Sequence, residues 1–86
     1  MIQKISAPVS VVLTFSHRQR TVRPVKLVWD GHEHVITKIG FHHTYWQGRT
    51  LYHVFSVASP SMFFRLVLNT QNLFWILEEV SDDLPA

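Results

Sequence analysis

Six histidines stand among 86 residues: His17, His32, His34, His42, His43 and His53. His32 and His34 would share one side of a β-strand, because successive side chains alternate between its faces. Two imidazoles so spaced can chelate zinc or copper, with His53 or His42 supplying a third ligand from across a sheet. The competing reading is packing: an imidazole beside Trp29 keeps one nitrogen hydrogen-bonded or wet. The nearest carboxylate, Glu33, points to the other side of the strand, there is no cysteine, and no His-Glu-x-x-His helix occurs. The expectation is no metal and no cofactor. His32, His34 and His53 are the ligand candidates if a metal binds.

A second set is basic and aromatic. Arg18, Arg20, Arg23, Lys26, Lys38 and Arg49 fall in one stretch that also holds Tyr45 and Trp46. Aromatic rings flanked by arginine can stack on bases while the cations neutralise phosphates. Small β-barrels hold single strands in this manner. The formal charge is only +2, yet Glu78, Glu79, Asp82 and Asp83 supply four of the six acidic residues. Residues 1–77 thus carry eight Lys/Arg against Asp30 and Glu33, a net of +6. A basic body with an acidic tail suits a polyanionic ligand. Ordinary solubility charge, with the arginines solvated or paired to the tail, accounts for the same count.

Catalytic patterns are absent from the chain. Nucleophilic catalysis needs a hydroxyl beside an oriented base, and Ser56, Ser59 and Ser61 lie outside any Gly-x-Ser-x-Gly elbow. Glu78 and Glu79 are adjacent on an expected strand and so should face opposite ways. Three widely spaced glycines cannot form a phosphate loop. The reading is a non-enzymatic binding module.

The elements that must position these residues are strands. Asp30-Gly31 lies between two alternating apolar runs, a strong hairpin signal, because both central residues of a tight type I′ turn need positive φ. A two-residue turn there puts Trp29 opposite His32, Leu27 opposite His34 and Val25 opposite Ile36. A three-residue loop would move the histidines to the other face. Val9, Val11, Leu13 and Phe15 alternate with smaller or polar neighbours, and Pro8 suits the first position of that strand. Gly40 reads as a strand end or bulge, and the segment after it, with Tyr45 and Trp46, as a loop ending near Gln47-Gly48. Residues 50–58, 62–68 and 73–80 complete the set, divided by Ser59-Pro60-Ser61 and by Asn69-Thr70-Gln71-Asn72. The expectation is an all-β antiparallel meander of about six strands, rolled into an SH3-like or similar small barrel. It spans residues 1–80 as one domain, with an acidic tail over 81–86.

The aromatic content also leaves room for a homodimer or protein partner, with Phe63, Phe64, Phe74 and Trp75 as the expected interface. No apolar run is long enough to span a bilayer, and the N-terminus does not read as a signal peptide, so a soluble cytoplasmic protein is expected. Arg23-Pro24-Val25-Lys26-Leu27-Val28-Trp29-Asp30-Gly31 and Trp75-Ile76-Leu77-Glu78-Glu79-Val80 resemble a family of small uncharacterised bacterial β-domains over residues 8–80. Similar domains are encoded beside, or fused to, Y-family translesion DNA polymerases. The resemblance implies an accessory role in DNA or RNA metabolism, with a polymerase as the kind of protein partner. It implies no catalytic residues.

Overall fold

The computed structural model describes residues 2–82, and the chain there is all β. The strands are β1 (Ile2–Pro8), β2 (Ser10–Ser16), β3 (Thr21–Trp29), β4 (His32–Val35), β5 (Lys38–Gln47), β6 (Thr50–Ala58), β7 (Phe63–Asn69) and β8 (Phe74–Ser81). They form two antiparallel sheets, one of five strands in the order β1-β8-β7-β6-β5 and one of three in the order β2-β3-β4. Among the described residues no closed barrel forms, and the strands number eight rather than six. The difference has three sources. β1, which the sequence did not suggest, pairs with β8. The run through residues 32–39 divides into β4 and the start of β5 at Ile36-Thr37. The expected loop after Gly40 is strand through Gln47.

Two short corners carry the chain from one sheet to the other. At Val9 the backbone N–H donates to the Trp75 carbonyl at 3.2 Å. At the second corner Ile36 N–H donates to Val25 at 2.9 Å, and Thr37 N–H to Ala58 at 2.8 Å. The corner polar groups therefore stay bonded even where the pairing changes sheets, as buried backbone requires.

The Asp30-Gly31 turn is the two-residue form. Asp30 has φ 53° and Gly31 φ 76°. Trp29 faces His32 and Leu27 faces His34, as the pattern predicts. A register shift between Ile39 and Phe41 marks the bulge expected at Gly40. Ser59 shapes its turn as anticipated: its Oγ accepts from Met62 N–H at 3.1 Å, and its own N–H donates to the Met62 carbonyl at 2.8 Å.

The core lies between the two sheets. Leu27 of β3 meets Phe55, Val57, Phe64, Leu66, Trp75, Leu77 and Val80 of the large sheet, with Val9, Val11, Trp29 and Ile36 packed around them. Phe64 is 2% exposed and Trp75 9%, so half of the interface set expected at residues 63, 64, 74 and 75 is core instead. The reason is that Phe63-Phe64 and Phe74-Trp75 each put one ring on either face of the strand, and the packing of the small sheet decides which is covered. Phe74 stays 65% exposed. Of that alternating set, only Val9 at the corner and Val11 in β2 pack against the core. Leu13 and Phe15 are exposed, because the ladder shifts register between Val12 and Leu13 and the hairpin beyond runs clear of the core.

A further shift, between Arg65 and Leu66 on the β7–β8 pair, leaves Glu78 without an opposite residue. Glu78 and Glu79 consequently do not point apart. Arg65 Nε lies 3.0 Å from Glu78 Oε1, and its Nη1 donates to Glu79 Oε2 at 3.3 Å. These two carboxylates engage Arg65. Ser81, expected in the tail, belongs to β8 and pairs with Ile2 and Phe63. The rest of the tail from residue 83 lies outside the described residues. Among the described residues no helix is long and apolar enough to cross a membrane.

Candidate nucleic-acid interface

The β2–β3 hairpin extends past the core and ends in a four-residue turn, His17-Arg18-Gln19-Arg20. Ser16 Oγ accepts from Gln19 N–H at 3.3 Å, and Arg20 takes a left-handed φ of 52°. This tip lies over the end of the large sheet that the small sheet leaves uncovered. Arg20, Thr21 and Val22 form one wall of an open cleft, and His42, His53, Phe55 and Leu68 form its floor.

Strand register explains the floor. A two-residue turn at Gly48-Arg49 pairs Gln47 with Thr50, which in turn sets His42 opposite Phe55 and Thr44 opposite His53. Opposed residues share a face, and so do residues two apart. His42, Thr44 and Trp46 therefore lie on the face of the sheet that carries Leu51, His53 and Phe55. The His42 ring lies flat on Phe55, centroids 4.2 Å apart and planes within 5°. His42 Nε2 and His53 Nδ1 are 2.8 Å apart. One of the two nitrogens must donate and the other accept, so this bond exists only while at least one of the pair is uncharged. Beyond them Trp46 is 69% exposed. The hairpin end is fastened to the β7–β8 loop: Thr70 Oγ1 donates to the Leu51 carbonyl at 2.7 Å, and Thr50 Oγ1 to Gln71 Oε1 at 2.8 Å.

Desolvation holds the His42 pKa below its ordinary value of 6.5, with the charges of His53 and His43 acting in the same direction. The fold therefore binds a proton at His42 less readily than the unfolded chain does. Stability from this residue is present above pH 6.5 and falls as the pH drops from there toward the lowered folded value. Thermal melts between pH 7.5 and 5 should show this loss, and His42→Gln should reduce it. An unchanged slope in the variant would mean that other groups govern the acid response.

Comparison with protein-family models, with curated proteins and with solved structures finds no match. The chemistry of the site must therefore carry the functional argument.

The structure assembles part of the basic and aromatic set. Arg20 is in the cleft wall, Arg18 is two residues before it on the same exposed turn, and Trp46 is on the cleft-side face of β5. Arg49 sits in the turn between β5 and β6. The others are scattered. Lys26 lies 3.5 Å from Glu33 and pairs across from Val35, on the opposite face of the small sheet from Leu27. Lys38 opens β5 at the far end from Trp46. Arg23 is exposed in β3 opposite Thr14. Tyr45 is in a strand rather than a loop. It lies on the other face from Trp46, stacked on Tyr52 with centroids 5.0 Å apart.

The three metal candidates do not meet. His34 packs against Phe64 at 4.9 Å between ring centroids, in the core-facing position that its register predicts. His53 is bonded to His42 in the other sheet. Among the described residues no group of three His, Asp or Glu side chains is placed to hold a metal ion. Sequence reasoning missed Phe55 and Leu68 as cleft residues and missed the His42–His53 bond. The signal lay in Gln47-Gly48-Arg49-Thr50: read as a two-residue turn between long strands, it puts His42 and His53 on one face.

Proposed function

We propose that this chain is a non-enzymatic module that binds single-stranded nucleic acid with little sequence preference, in the cleft between the β2–β3 turn and the β5–β6 hairpin. The observation that carries this reading is the cleft itself, where a guanidinium, two linked imidazoles and an aromatic floor are reached from one opening. Arg18, Arg20 and Arg49 neutralise phosphates. Trp46, and the exposed side of the His42 ring, offer flat surfaces on which bases stack, an interaction that tolerates any base. The frame fits a rolled six-stranded barrel left unclosed, with β1–β2 and β4–β5 each counted as one bent strand, and the cleft is the seam where β3 and β5 part. An accessory role beside a polymerase in a bacterial cytoplasm is the setting that the family resemblance implies.

Fluorescence anisotropy with labelled single-stranded DNA, duplex DNA and RNA tests the proposal. Micromolar binding to single strands is expected at about 50 mM salt. Three phosphate contacts should weaken it about twentyfold at about 200 mM, since counterion release gives a slope of roughly −0.7 per phosphate on single strands. No binding at the lower salt would end this reading and leave the basic residues as solubility charge.

A further inference from the structure

Each sheet edge exposes a row of unpaired backbone N–H and C=O groups, and folded proteins guard such edges with charge, proline, bulges or short strands. The large sheet has two edges, β1 and β5, and they differ. β1 carries Lys4 and Pro8 and a register shift between Lys4 and Ala7. β5 has the bulge at its start and nothing after it. From Ile39 through Gln47 it holds no lysine, arginine, aspartate, glutamate or proline, and at ten residues it is the longest strand described. It also presents large rings to solvent: Phe41 is 61% exposed, Tyr45 40% and Trp46 69%.

We propose that the chain dimerises by antiparallel pairing of the free edge of β5 with the same edge of a second copy, joining two five-stranded sheets into one of ten. The occupant follows from the strand's own chemistry. Antiparallel pairing of identical strands is two-fold symmetric, so each contact occurs twice. Centred on His43, the register sets Phe41 opposite Tyr45 of the second copy and His42 opposite Thr44. Phe41, His43 and Tyr45 alternate along one face of β5, the face away from the core, so the aromatic pairs fall side by side. Cross-strand aromatic pairs are among the contacts that stabilise antiparallel ladders. Between Ile39 and Gln47 an identical strand also brings no lysine, arginine, aspartate or glutamate, so no like-charge pair of these falls among the nine positions that the register pairs. The second uncharged edge, β2, is shorter and supplies the control.

Sedimentation of the full chain from about 1 to 200 µM, the range in which a small strand-pairing interface populates its dimer, should show the mass double. Phe41→Lys with Thr44→Lys should return it to the monomer across that range, while Val12→Lys on β2 should leave the doubling intact. Hydrogen exchange on the unaltered chain keeps the test decisive if the double variant does not fold. Amides within residues 41–47 should exchange several-fold more slowly at the high concentration than at the low one. A monomeric mass throughout overturns the proposal. So does a doubled mass that survives Phe41→Lys/Thr44→Lys, or one that Val12→Lys abolishes, or an exchange pattern at 41–47 that ignores concentration.

Discussion

Phe64→Ala should remove a large share of the folding stability of this protein. Truncating a buried phenylalanine typically costs about 3–5 kcal/mol, and the whole of a domain this size is stabilised by roughly 4–13 kcal/mol. The site argues for the upper part of the range. Phe64 is 2% exposed, pairs with Val80 across the β7–β8 ladder, and touches His34 of the small sheet at 4.9 Å between ring centroids. Its ring is thus one of the few groups that hold the two sheets together, and a cavity there has strands on both sides that cannot easily close in. Urea unfolding followed by tryptophan fluorescence measures the effect. A loss below about 1 kcal/mol would show that the sheets are joined chiefly by other contacts.

The largest effect on binding is expected from Arg18→Ala, Arg20→Ala and Arg49→Ala combined. On the proposed mode, affinity for single-stranded DNA at low salt should fall at least about tenfold. The slope of log affinity against log salt should flatten by about 2, three contacts at roughly 0.7 each. Lys26→Ala with Lys38→Ala is the informative comparison, because it removes two positive charges, against three, from positions away from the cleft. Lys26 is beside Glu33, and Lys38 is at the opposite end of β5 from Trp46. A loss of no more than about twofold is expected for that pair. Equal losses from the two variants would mean that overall charge, not the cleft, attracts the nucleic acid. An unaffected triple variant would sink the proposed interface.

Local features of this fold were legible, and long-range ones were not. Asp30-Gly31 declares its turn because the φ requirement is met by those two residues alone, and the turn then fixes the positions of His32 and His34 by counting. Gly40 likewise announces a break in the ladder. β1 could not be read in the same way. Its pairing depends on β8, at the other end of the chain, and Ile2-Gln3-Lys4-Ile5 has no turn beside it to set a register. Phe64 and Trp75 were misplaced because Phe63-Phe64 and Phe74-Trp75 put a ring on each face of β7 and β8, and the covered face is chosen by Leu27 and its neighbours in the other sheet. Tyr45 and Trp46 were put in a loop because the polar and aromatic mixture of residues 41–47 lacks alternation. Its backbone is nonetheless held as strand by seven paired positions along β6. The cleft depends on these distant choices at once, so its basic wall was foreseen and its histidine floor was not.

The pairing of β1 with β8 has a consequence for how the molecule comes into being. A chain made from its N-terminus releases residues 2–8 well before residues 74–81, yet β8 is, among the described residues, the strand they pair with. β2 to β4, and β5 to β7, can begin to assemble by neighbour-to-neighbour hairpins, each closing a short loop. β1 must instead wait in water with Ile5 uncovered until Phe74–Ser81 arrives, and then close a loop that spans β2 to β7. The Lys4 and Pro8 that guard this edge in the finished fold thus serve earlier as well, keeping the waiting segment from pairing with a neighbouring nascent chain.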